Sequence, residues 1–187
     1  MLIGQLGHRV YAMKKERRWL INAIRNRLLP EFVRRGFKIV PISKGGLIDR
    51  ELIYNSPFGT LRRPGSRGFE LVEVQLITYG RAAFRILAGA APPNGLETFN
   101  GHIAAEDILV GWLDESFEIY QYPLLWSCLP SLAYFSIKPW QKRASSQEDY
   151  DALAQWVASL IPEVELALRD GKCGPHVRLV KINHPRP

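Results

Sequence analysis

The chain of 187 residues carries 25 Lys and Arg against 18 Asp and Glu, a formal charge of +7, and 47% of its residues are hydrophobic. Length and composition exclude a stapled miniprotein and a disordered polyelectrolyte, and they fit one domain that buries roughly 70% of the surface its unfolded chain exposes. The charge is uneven: residues 1–85 hold 17 Lys/Arg and 6 Asp/Glu (+11), whereas residues 86–187 hold 8 and 12 (−4), which predicts a basic face, an internal electrostatic seam, or both.

Residues 1–13 read as an N-terminal extension, with Met13-Lys14-Lys15 a plausible alternative start, followed by a single α+β domain over 14–182 and a frayed tail over 183–187. Met1 to Ala12 lacks the charged segment ahead of an apolar core that a secretory signal needs. The helix pattern begins near Lys14. Leu20, Ile21, Ile24 and Leu28 form one apolar stripe, and Lys15, Arg18, Asn22, Arg25 and Asn26 lie opposite. Pro30 is expected to kink or restart the helix, and Arg34-Arg35-Gly36 to stop it.

Phe37–Ile42 reads as a short strand, with Pro41 marking an edge, and Leu47–Tyr54 as a second. Asn55–Gly68, rich in Pro, Gly, Ser and Arg, reads as a mobile basic loop. Glu70–Thr78 alternates, with Val72, Val74 and Leu76 on one face and Glu73 and Gln75 on the other. After a turn at Tyr79-Gly80-Arg81, Ala82, Phe84, Ile86 and Ala88 alternate against Ala83, Arg85 and Leu87, completing a hairpin that Pro92-Pro93-Asn94-Gly95 closes.

Ile103, Ile108 and Leu109 with Glu106 and Asp107 allow a short helix. Phe117–Tyr120 and Tyr134–Ile137 read as strands. Ile119–Lys138 approaches the length of a membrane span, but Pro123, Pro130, Gln121 and three serines interrupt it, so buried strands and turns are expected and no membrane contact. Ser145 or Ser146 with Glu148 and Asp149 makes a capping box. Tyr150, Leu153, Val157 and Leu160 supply the core stripe of a last long helix that Pro162 interrupts and Gly171 ends, and Val177–Ile182 reads as a final strand. The expected fold is an antiparallel sheet of about five strands with the two long helices packed on one face. Trp19, Trp112, Trp126, Trp140 and Trp156 read as core or groove residues.

Few residues fall into a catalytic pattern. Cys128 and Cys173 lack disulfide or metal-ligand spacing, which fits a reduced, cytoplasmic protein. Lys44-Gly45-Gly46 has the wrong order for a phosphate loop. His102 and Glu106 would share a helix face, but no third ligand accompanies them. Arg62, Arg63 and Arg67 join Arg18 and Arg25 as the cations best placed to meet an acidic ligand.

Two resemblances extend this reading. The order helix, strand, strand, strand resembles the opening of the restriction-nuclease-like fold, with Asp49 on the second strand and Glu73-Val74-Gln75 on the third. That resemblance implies a Mg²⁺-dependent nuclease acting on nucleic acid. Gln75 departs from the lysine that family places there, and the third strand runs into a hairpin rather than a helix. Arg35-Gly36-Phe37, Leu71–Leu76 and Phe84–Gly89, with Trp140 and the helix around Trp156, resemble an uncharacterised bacterial α+β domain family. Some such domains neighbour toxin systems, which implies an immunity-like binding role. The leading expectation is therefore a non-enzymatic binding protein for an acidic partner, protein or nucleic acid, with no cofactor. The alternatives are nucleic-acid binding through the five arginines and a degenerate nuclease built on Asp49, Glu73 and Gln75.

Overall fold

The computed structural model describes residues 15–42, 55–77, 82–98, 101–122, 129, 133–138 and 146–181. Helix α1 covers residues 15–34. Leu20, Ile24 and Leu28 are buried, as their spacing predicts. Pro30 restarts the helix in register rather than ending it, standing in the first turn of a renewed α-helical segment, Leu29–Arg34. Its ring opposes the carbonyl of Asn26, and the turn over Ile24–Leu28 widens to a π-helix in which Leu29 N–H bonds back to Ile24 O. The helix continues through Leu29–Arg34 and stops as expected. Gly36 takes φ 87°, and Phe37 N–H closes onto Phe32 O at 3.2 Å.

The strands are β1 (Lys38–Val40), β2 (Thr60–Gly65), β3 (Gly68–Leu76), β4 (Phe84–Ala91), β5 (Leu96–Thr98), β6 (Gly101–Ile103), β7 (Glu115–Ile119) and β8 (Val177–Lys181). Among the described residues six form one antiparallel sheet in the order β1-β2-β3-β4-β7-β8, one strand more than expected, while β5 and β6 pair separately. The extra strand is β2, in the segment that composition marks as a loop. Leu61 pairs with Val72 and Arg62 with Leu71, and Ser66-Arg67 makes a two-residue turn. Gly68 sits at φ 120°, which a side chain would strain. Pro64 is tolerated because β1 covers only Thr60–Arg62, so its missing N–H faces no ladder partner.

Behind the apolar face of this sheet, α1 meets helix α2 (Gln147–Ala158) and helix α3 (Ile161–Asp170). Ser146 N–H bonds Asp149 Oδ2 at 3.1 Å in the expected capping box, and Pro162 at the start of α3 separates the two helices. Tyr150, Leu153, Val157 and Leu160 join Val72, Val74, Ile86 and Phe117 in the main core. Trp19 packs on Tyr150 at 6.4 Å between ring centres, Trp112 is half-buried, and Trp156, 39% exposed, packs edge-on against Phe135 and His176 at 6.0 Å.

The opposite face of the sheet is covered too. In place of the expected short helix near Ile103–Leu109, the chain forms the β5–β6 hairpin and two 3₁₀ turns, Ala105–Asp107 and Val110–Trp112. Ile108, Val110 and Leu113 pack on Leu71, Leu87 and Ala91 in a second, smaller core. The strand expected over Tyr134–Ile137 is reduced to one bridge, Phe84 with Phe135. No helix among the described residues is long and apolar enough to cross a membrane. The strand expected over Leu47–Tyr54, the turn at Tyr79-Gly80-Arg81, Lys44-Gly45-Gly46, Asp49, Trp126, Cys128, Trp140 and both terminal segments lie outside the described residues.

Candidate functional site: a buried polar row, a charge seam and a basic-rimmed groove

Glu73 and Gln75 project from the same face of β3, as alternation requires, but that face is not open to solvent. The covering turns leave Glu73 fully buried and Gln75 nearly so. Val110 N–H donates to one carboxylate oxygen of Glu73 at 2.8 Å, and the Gln75 amide donates to the other at 2.8 Å. The row then crosses the sheet. Arg85 donates to Gln75 Oε1 at 2.8 and 3.0 Å and pairs with Glu118 at 3.3 Å, and the Tyr120 hydroxyl donates to Glu118. Burial pushes the Glu73 carboxyl above the usual carboxylate range, against the pull of its two hydrogen bonds and of the Arg62 and Arg85 charges.

Thr60 lies directly opposite Glu73 on β2, and Arg62 stands two residues along on the same face. The Arg62 guanidinium clamps the covering segment, donating to Ala105 O at 2.9 Å and Ile108 O at 2.6 Å. Burial lowers its pKa, opposed by the charges of Glu73, Asp107 and Glu106. Thr60 Oγ1 and Arg62 Nε are buried without a hydrogen-bond partner among the described residues.

Arg63, the next residue, points through the sheet to the helices. It pairs with Glu70 at 2.6 Å and Glu165 at 2.7 Å, donates to Arg35 O at 2.7 Å, and lies 4.3 Å over the Phe37 ring. Burial alone would lower its pKa, but the two carboxylates outweigh it and the net shift is upward. Arg35–Glu165, Arg27–Asp151 and Arg85–Glu118 tie further cations of the first half to acids of the second. Among the described residues, Arg27, Arg35, Arg63 and Arg85 of the basic half are thus drawn into a seam with acids of the second half.

The five arginines singled out by sequence do not share one surface. Arg62 and Arg63 are held on opposite faces of β2. Arg67 is exposed at the β2–β3 turn, near enough to Glu115 to help lower its carboxyl pKa after the dominant contribution of Lys181. Arg18 and Arg25 are exposed on α1. Arg25 and Arg34 border a groove of about 600 Å³ between α1 and the β1 edge. Its apolar lining is Leu29, Pro30, Val33, Ile39, Pro57 and Phe58, of which Val33 and Ile39 are 47% and 45% exposed. Arg25 lies 5.9 Å from the Phe58 ring centre, and Arg34 makes a surface pair with Glu31 at 2.8 Å. Sequence reading found Arg25 and missed the groove. The available signal was Val33, an apolar residue next to two arginines, with Ile39 in an edge strand.

The nuclease reading needs a carboxylate free to bind Mg²⁺, which demands near-octahedral oxygen ligands and retained waters. Both oxygens of Glu73 already accept an N–H donor, the carboxylate is buried and its neighbour Gln75 is neutral, while Asp49 is outside the described residues. Likewise, His102 sits on β6 bound to Glu97 while Glu106 is on a 3₁₀ turn, so the helix-face geometry that would join them does not exist. Among the described residues no three His, Cys, Asp or Glu gather as metal ligands. Cys173 is exposed and free, and His176 is held by Glu163. Compared with known proteins, the chain matches no family model, no curated protein and no solved structure.

Proposed function

We propose that the protein is a non-enzymatic binding protein whose partner is an acidic protein. The observation that carries this reading is the division among its arginines: many are spent on internal pairs, while Arg18, Arg25 and Arg34 remain exposed on one helix, two of them beside an apolar groove. A large apolar concavity with a few convergent charges is the default location for binding. The immunity-like role implied by family resemblance is one form of this reading, since an acidic effector domain would be neutralised by occlusion.

Nucleic-acid binding would ask the five arginines to meet one backbone. The internal engagement of Arg62 and Arg63 favours the protein partner instead. A salt titration separates the two. Fluorescence anisotropy of labelled poly-glutamate should show binding that weakens with NaCl and is lost in Arg18→Glu/Arg25→Glu, while a duplex oligonucleotide binds more weakly. Tighter binding of the duplex, or no binding of the acidic chain at low salt, would reject the proposal.

A further inference from the structure

The two arginines of the groove are nine residues apart on α1, a span of about 13 Å at helical rise, with the apolar floor of Leu29 and Val33 between them. A ligand with a single anionic head would use only one of these cations. An added β-strand is poorly served, because β1 has three residues and Pro41, the residue after it, lacks an N–H. A helix laid along the groove meets every feature. Its apolar stripe would cover Val33, Ile39 and Phe58, and carboxylates about seven to eight residues apart, near each end of the stripe, would reach Arg25 and Arg34.

Resting on the acidic-partner reading above, we infer that the groove between α1 and the β1 edge receives an amphipathic helix of the partner, apolar on one face and acidic at both ends of that face. The existing contacts of the two arginines do not stand in the way. The Arg34–Glu31 pair is solvent-exposed, with Arg34 at 70% side-chain exposure, and such pairs are weak. Among the described residues, Arg25 makes a long approach to Phe58 at 5.9 Å from the ring centre. Nine residues of regular α-helix would turn Arg34 about 180° away from Arg25, and the wider π-helical turn at Ile24–Leu28 lessens that angle, so both border the groove.

The test uses the full chain, ¹⁵N-labelled, titrated with a helical peptide of roughly 18 residues that has leucines at i, i+3, i+4 and i+7 and glutamates flanking them. Controls replace the leucines by serine or the glutamates by lysine, and dodecanoate is titrated separately. The Leu/Glu peptide should bind, with shifts concentrated at Val33, Ile39 and Phe58. Arg25→Glu/Arg34→Glu should weaken it about tenfold and admit the lysine peptide, and Val33→Ser should weaken it about fivefold. Unchanged melting of these surface variants keeps the comparison valid.

Equal binding of the serine control, with the same dependence on arginine, would overturn the helix inference while leaving the acidic-partner reading standing. So would dodecanoate shifting the groove resonances when the peptide does not. Failure of every acidic peptide to bind would remove both.

Discussion

Arg62-Arg63 and the pair Arg25 and Arg34 are the same residue type in the same basic half of the chain, yet the fold uses them oppositely. Arg62 and Arg63 sit on β2, where successive side chains go to opposite faces of a sheet covered on both sides. Each therefore enters a layer interface and binds carbonyls or carboxylates there. Arg25 and Arg34 sit on the outer side of α1, where the core stripe leaves them in solvent beside the groove. Positive charge in a sequence thus divides into a part that binds the molecule to itself and a part free to bind something else, and element geometry decides which is which.

The largest effect should come from breaking the internal part. Arg62→Met removes the donors to Ala105 O and Ile108 O and leaves two buried carbonyls unpaired, so urea unfolding should register a loss of about 3 kcal/mol. A loss under about 1 kcal/mol would mean that the clamp is not what holds the covering segment. Arg63→Ala should cost somewhat less, about 2 kcal/mol, because Glu70 is left at 5% side-chain exposure while Glu165 is partly solvated and keeps Arg35.

Glu73→Gln gives a smaller effect with a definite pH signature. Because burial raises the Glu73 pKa, the folded state holds its proton at pH values where the unfolded chain, with a pKa of about 4.3, has released it. Stability from this group is therefore present below the unfolded pKa and declines as pH rises through the folded one. Glutamine cannot ionise. The variant should gain on the parent as pH goes from 4 to 8 in parallel denaturation series, and a constant difference between the two would show that Glu73 is not strained by burial.

Local elements were readable from sequence, and their partners were not. The stripe of Leu20, Ile24 and Leu28, the Ser146–Asp149 box and the alternation of β3 and β4 are short-range patterns, and each reappears in the structure. β2 was hidden because Arg62-Arg63-Pro64-Gly65 has loop composition, and its strand state depends on pairing with β1 and β3. Alternation puts Glu73 and Gln75 on one face of β3, but it cannot reveal that residues 96–98 and 101–113 fold back over that face. The groove was obscure for the same reason. Val33 and Ile39 are brought together with Phe58 only by tertiary packing.

The most direct test of the division between inward and outward arginines measures stability and binding in the same preparations of Arg25→Glu/Arg34→Glu. The account predicts an unfolding free energy within about 0.5 kcal/mol of the parent and affinity for the Leu/Glu helical peptide reduced about tenfold. Marked destabilisation together with unaltered affinity would contradict it.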